Sequence, residues 1–294
     1  MIGRWARFVA GSYPPLTSVL LACAWAYGVT GLFAAIQPSY AAAWRPDTGT
    51  AVAAVTLVVT LLLMRAVDDI RDLEYDRRHH PKRPLARGAV SIRDLLVLCA
   101  SGSVVLLAIN ADSPTALAVL AGQLGYCLLV LAVHHWLRWP SGDKLVLSLL
   151  VSFPAQLLLH VYLYARYLHS ASLGTSRDGA LAIVIVVLAS VHLELAKKIT
   201  RRPQPGERSY VDVFGLAGTT GIALAAPALS AVLLIAGARA TAVLAPLAVL
   251  PLALPALAGW RFRRSTTLRW PEAAPALYLL VTFAGYFVIG LSSG

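Results

Sequence analysis

The chain has 294 residues, 58% of them hydrophobic and only 13% charged, with a mean hydropathy of +0.70. Water-soluble domains carry nearer a quarter charged residues, so this composition excludes one and indicates an integral membrane protein. The net charge of +11 does not imply nucleic-acid binding, because the basic residues sit in short loops beside apolar segments rather than on one soluble face.

Arg4 and Arg7 precede the first apolar run, and no small-residue cleavage site follows, which is the pattern of an anchor for a retained span. At about 20 apolar residues per crossing, spans are predicted near 16–36, 49–67, 92–110, 114–134, 144–165, 179–200, 213–236, 240–259 and 272–291. The expected fold is all-α: an integral membrane bundle of nine transmembrane helices, with 1–294 as a single domain. Pro38, Pro46, Asp112-Ser113-Pro114, Pro140-Ser141-Gly142, Pro203 to Gly206 and Trp270-Pro271 punctuate the spans. The short 110–114 connection predicts an antiparallel hairpin.

With a cytosolic N-terminus, all of the 25 Lys and Arg but Arg45, Arg166, Arg177 and Arg239 fall in cytosolic segments. That asymmetry predicts N-terminus in, C-terminus out and an odd number of crossings. Trp5, Trp44, Trp136, Trp139, Trp260 and Trp270 fall at predicted interfaces and read as anchors. Cys23, Cys99 and Cys127 lie in apolar stretches without ligand spacing and read as packing residues.

Five of the chain's 14 acidic residues are concentrated in Arg65 to Gly88, RAVDDIRDLEYDRRHHPKRPLARG. Asp68, Asp72 and Asp76 fall at i, i+4 and i+8, so a continuing helix places them in one stripe, flanked by Asp69 and Glu74. Carboxylates crowded in this way repel, and a hard divalent cation, Mg²⁺ above all, relieves that repulsion and can be shared with a substrate phosphate. Lys82 and Arg83, among Arg77, Arg78 and Arg87, supply the cations that a partly neutralised diphosphate still needs. The bland reading is a solvated charged loop.

The pattern D68-D69-I70-R71-D72-L73-E74-Y75-D76 followed by K82-R83-P84-L85-A86-R87-G88 resembles the first signature of the UbiA superfamily of intramembrane prenyltransferases. One departure is Asp68, where that family usually has Asn; an oxygen ligand is kept and a charge added. The resemblance implies a second acidic motif at the cytosolic end of the sixth span, the place of VHLELAKKITRRPQPGERSYVDVFG, 191–215. Ser209-Tyr210 and Phe214-Gly215 sit near the family's usual Thr and Leu-Gly. The ligands differ: where the family shows D-x-x-x-D, this chain has Glu194 and Lys198, with Lys197, Arg201 and Arg202 nearby and Glu207 and Asp212 further on. Lys in place of a carboxylate removes a metal ligand and adds a direct phosphate donor.

What the resemblance implies is therefore an isoprenoid diphosphate as donor. Asp68, Asp72, Asp76 and Glu194 are the expected Mg²⁺ ligands; Lys82, Arg83, Lys198 and Arg201 are the expected diphosphate contacts. Neutralising the leaving group lets the allylic C–O bond ionise, and an apolar interior keeps the cation from water. Tyr126, Tyr162 and Tyr164 are available aromatic faces, with ordinary packing as their plainer reading. Family members that prenylate carboxylated aromatics carry an Arg early in the first helix; here only Arg7 is near, and it also reads as an N-terminal anchor.

The expected activity is prenyl transfer to a lipophilic, aromatic acceptor, in the class of transferases of alkyl groups other than methyl. The alternative is a UbiA-type terpene cyclase, in which the substrate's own double bonds quench the cation. The expected setting is the lipid bilayer of the cell membrane, with the active site toward the cytosol and no nucleic-acid partner. A transporter is disfavoured because the charges lie in loops and the span interiors lack paired ionisable groups; His134, His160 and His192 are isolated. The adjacent pairs His79-His80 and His134-His135 lack zinc-ligand spacing, and Gly215 and Gly218 read as helix-packing residues.

Overall fold

A computed structural model of the chain describes residues 2–38, 43–137, 139, 145–203, 209–238 and 241–293. The predicted Pro140-Ser141-Gly142 turn, residues 204–206, Arg138, Lys144, Glu207, Arg208 and Arg239 lie outside the described residues. Apart from one isolated bridge pairing Thr200 with Arg269, the regular structure described is helical.

Nine of the described helices are long and apolar enough to cross a membrane, one for each predicted span. They are α2 (Pro15–Ile36), α3 (Thr48–Arg71), α5 (Ile92–Ile109), α6 (Pro114–Leu137), α7 (Leu145–Ala171), α8 (Arg177–Ala196), α9 (Val211–Gly237), the composite span Leu244–Arg264, and α12 (Ala273–Ser292). The protein is an integral, multi-pass membrane protein.

The composite span is broken into α10 (Leu244–Val249), a 3₁₀ turn (Leu250–Leu252) and α11 (Ala253–Arg264). Pro251 and Pro255 bring no N–H to an i→i−4 ladder, so the chain passes them through a tighter turn. α8 stops at Ala196, short of the predicted 200. Beyond it, Lys198 and Ile199 bond back three residues, and Thr200 then pairs with Arg269.

Two short helices escaped the hydropathy pattern. α4 (Leu73–His79) follows α3 after a single residue, and α1 (Ile2–Ser12) precedes the first span. α1 is a docked element rather than a bare charged anchor. Arg4 reaches Asp94 at 3.2 Å, and the Trp5 indole N–H donates to the Asp94 carbonyl at 2.9 Å. Asp94 in turn closes a capping box with Ser91 at the start of α5.

The chain divides into two compact units, one of Met1–Ala26 with Thr48–Arg166 and the other of Tyr27–Asp47 with Tyr167–Gly294. In the first, α3 packs on α5 and α6. A core of Phe8, Ala66, Leu85, Val90 and Leu95, backed by Leu62, Ile70 and Leu73, anchors the Pro84-Leu85 loop beneath α1. Gly11 allows this approach, since a Cβ there would meet Pro84 Cγ at 2.6 Å. A polar lattice crosses the same unit: Tyr162 donates to Asn110 Oδ1 at 2.7 Å, and Asn110 donates to Thr56 at 2.9 Å. Tyr162 is thereby a packing residue.

In the second unit α8 packs on α9, and α12 on α8, α10 and α11. Residues 27–36 of α2 meet α12 backbone to backbone: a Cβ on Gly290 would fall 2.6 Å from Gly31 Cα. Such contacts are how membrane helices gain close packing without a hydrophobic drive between them. Gly215, expected to serve packing, instead breaks α9 with φ 68° and ψ 167°, a left-handed position that favours glycine. Trp270, expected as an interface anchor, is buried against His192 and Phe262, whereas Trp136, Trp139 and Trp260 are exposed.

Candidate functional site

The acidic stripe begins where α3 ends. Asp72 interrupts the helix between α3 and α4, yet the Asp72 and Asp76 amides still bond to the Asp68 and Asp72 carbonyls at 2.8 Å. The backbone thus keeps the i, i+4, i+8 register, but the three side chains do different things.

Asp68 and Asp72 converge on one guanidinium. Asp68 Oδ1 lies 3.0 Å from Arg71 Nη2; Asp72 lies 3.3 Å from Arg71 Nε and 3.5 Å from the same Nη2. Both acids remain partly open, with side chains 45% and 20% exposed. Asp76 turns inward, 3% exposed, and both of its oxygens accept from Arg83 Nη1 at 2.6 Å.

Asp69, which the stripe does not include, is the other buried acid of this segment. Its Oδ2 accepts from Ser12 Oγ at 2.7 Å, and its Oδ1 lies 2.8 Å from Arg65 without hydrogen-bond alignment and 3.9 Å from Arg83. Arg83 Nη1 therefore serves two buried carboxylates. Asp68, Asp69, Asp72 and Asp76 are each within ion-pair distance of an arginine; the buried charges of Asp69 and Asp76 persist only when paired. His80 lies beside this network, and burial, with the Arg83 charge next, holds its imidazole below the ordinary range. Lys82 is exposed and has no carboxylate partner among the described residues.

Mg²⁺ typically takes one or two carboxylates together with waters and substrate phosphate oxygens. Asp68 and Asp72 match that donor set: hard oxygens, partly open, already facing a common cation. Asp76 is instead the counter-ion of Arg83. Among the described residues no group of three or more His, Cys, Asp or Glu is arranged to hold a metal, so a cage made by the protein alone is not built here.

The second charged cluster lies at the end of α8. Glu194 pairs with Lys197 and, at 2.9 Å, with Lys198, and its Oε1 also accepts from the Tyr210 hydroxyl at 2.8 Å. Lys198 Nζ sits 5.0 Å over the Tyr210 ring, and Ser209 Oγ donates to the Lys198 carbonyl at 3.0 Å. Burial, and then the adjacent Glu194 charge, push the Tyr210 hydroxyl well above the ordinary phenol range, so it stays a donor. Glu194, expected as a metal ligand, here carries two ammonium groups and holds that of Lys198.

Arg201, expected at a diphosphate, is spent elsewhere. It donates to the Thr267 carbonyl at 3.1 Å, to Ser265 at 3.3 Å and to the Phe262 carbonyl, and it stacks on the Phe262 ring at 4.3 Å. It ties the chain after α8 to the loop after α11. Tyr126 donates to the Val151 carbonyl at 2.7 Å, a packing contact. Arg7 is exposed and bonds its own helix at the Gly3 carbonyl.

No family model and no curated protein matches the sequence. Among solved structures, the chain is similar to the apo structure of a UbiA homologue from Aeropyrum pernix K1, with a TM-score of 0.62 at 18% identity, over 92% of this chain and 95% of that one. It is also similar to a digeranylgeranylglyceryl phosphate synthase, with a TM-score of 0.58 at 12% identity, over 99% of this chain and 98% of that one. The arrangement of helices that carries both charged clusters is thus shared with known membrane proteins, and the chain has the fold of a UbiA homologue.

Proposed function

We infer that the chain is a UbiA-type intramembrane prenyltransferase that ionises an isoprenoid diphosphate and transfers the prenyl group to a lipophilic, aromatic acceptor. The observation that carries this reading is the pair Asp68 and Asp72, facing a single cation at the end of an apolar span within the UbiA fold. One structural relative is, by name, a synthase of a geranylgeranyl-bearing lipid, which agrees with a prenyl donor.

In this reading Asp68 and Asp72 hold Mg²⁺, which supplies charge neutralisation for the departing diphosphate. Lys82 offers an exposed ammonium to the same phosphate oxygens. Asp76 fixes Arg83, and Arg83 with Asp69 fixes the loop that presents Lys82. At the other cluster Glu194 and Tyr210 hold the Lys198 ammonium as a preorganised phosphate donor. The apolar spans keep water from the allylic cation. The proposed orientation places the N-terminus and the charged loops on the cytosolic side of the cell membrane, following the basic-residue asymmetry.

The second reading is a terpene cyclase. It is favoured by Arg7, the one basic residue placed to meet an acceptor carboxylate, being exposed and bonded to Gly3. Product analysis separates the two. The purified protein is given Mg²⁺ and prenyl diphosphates of about ten to twenty carbons, with and without aromatic and lipid acceptors. Turnover only with an acceptor is the expected result; a cyclic product with released diphosphate and no acceptor would make it a cyclase.

A further inference from the structure

A further set of cations surrounds a pocket in the second unit. An open pocket of about 440 Å³ lies at the C-terminal end of α11, where Trp260, Arg261, Arg264, Ser265 and Thr267 line it. The last turn of α11 carries Arg261, Arg263 and Arg264, all exposed, and none has a carboxylate partner among the described residues. From 241 to 293 the sequence contains one acid, Glu272, against four arginines.

The cations are ordered rather than loose. Arg264 stacks 4.8 Å over the exposed Trp260 indole, which limits the rotamers that a guanidinium must give up on binding. Ser265 Oγ and Thr267 Oγ1 lie 2.6 Å apart at the same rim, and Arg201 braces it through the Thr267 and Ser265 carbonyls. Planar guanidiniums beside hydroxyls form a site for phosphate oxygens. What selects a lipid over a soluble phosphate is the helix face leading to them. Leu257, Trp260, Arg261 and Arg264 fall at i, i+3, i+4 and i+7, and Leu257 and Trp260 are 53% and 51% exposed. An apolar stripe on a membrane span therefore runs into the cationic pocket.

We propose that this pocket binds the phosphate head group of one anionic phospholipid, whose acyl chain lies along Leu257 and Trp260. The positive-inside bias alone would attract anionic lipid diffusely; a built pocket binds it in defined stoichiometry.

The test is native mass spectrometry of the full chain in detergent, titrated separately with dioleoylphosphatidylglycerol, dioleoylphosphatidylcholine and inorganic pyrophosphate. The expected result is one retained phosphatidylglycerol, bound roughly thirtyfold more tightly than phosphatidylcholine, as about two nearby arginines would give. The double variant R261Q/R264Q should fall to the phosphatidylcholine level, and R261K/R264K should keep most of the preference and show that the fold is intact. Equal binding of the two lipids, or a preference that survives R261Q/R264Q, would overturn the proposal. Pyrophosphate binding that depends on both arginines, without a lipid preference, would overturn the lipid assignment in favour of a soluble anion.

Discussion

Arg83 places one guanidinium nitrogen 2.6 Å from both oxygens of Asp76 and 3.9 Å from Asp69, and both acids are almost wholly buried. Removing one partner of such a pair leaves an uncompensated charge and costs about 3–5 kcal/mol, whereas replacing both by apolar groups is close to neutral. Arg83→Gln should therefore lower the thermal midpoint in detergent, and the double variant Asp76→Leu/Arg83→Met should recover most of the loss. If Arg83→Gln left stability unchanged while diphosphate binding fell, Arg83 would be a substrate contact and not a strut.

Arg71 stands between Asp68 and Asp72 as their shared counter-ion. Asp72 touches it through both oxygens, and losing the carboxylate takes away the donor best placed to share a metal with phosphate. Asp72→Ala should reduce turnover at least about a hundredfold, the scale on which one electrostatic stabiliser of developing charge acts, with the folded protein retained in detergent. Mn²⁺ titration followed by electron paramagnetic resonance, with pyrophosphate present, should show weakened metal binding. A fully active Asp72→Ala protein would sink the metal assignment.

Asp68 offers a gentler change. Asp68→Asn keeps an oxygen facing Arg71 and removes one charge, so Mg²⁺-dependent turnover should stay within about tenfold of the parent. Complete loss of activity in Asp68→Asn would show that the charge, not the oxygen, is required.

The length and punctuation of the apolar runs were enough to locate nine spans, because a hydrocarbon layer enforces both. The acidic register was legible too, and the Asp72 and Asp76 amides confirm it. What each charge does was not. Asp76 and Asp69 are buried, Asp69 against Ser12 of α1, a residue distant in sequence, and only tertiary packing decides that. Arg65 and Asp69 did carry a local signal, an i, i+4 pair inside an apolar span. Arg201 carried a misleading one: its position in a basic run suggested phosphate, while its partners are carbonyls from 262–267. α1 carries no such signal, because an 11-residue helix is too short to register as a span.

Tyr210 gives the sharpest handle on the second cluster. Its hydroxyl donates to Glu194 Oε1 at 2.8 Å, and the same oxygen lies 2.9 Å from Lys198 Nζ. A hydrogen bond to a charged group contributes about 1.5–3 kcal/mol, so Tyr210→Phe should loosen Glu194 while keeping the ring beneath Lys198. If Lys198 binds the diphosphate, Lys198→Ala should raise its Kd by an order of magnitude or more, and Tyr210→Phe should raise it by a few-fold with kcat little changed. Isothermal titration with a non-hydrolysable prenyl diphosphate analogue reads both. A structural role alone predicts the opposite split: lower thermal midpoints in both variants with the analogue's affinity unmoved. That result would confine the cluster to holding the end of α8 against the start of α9.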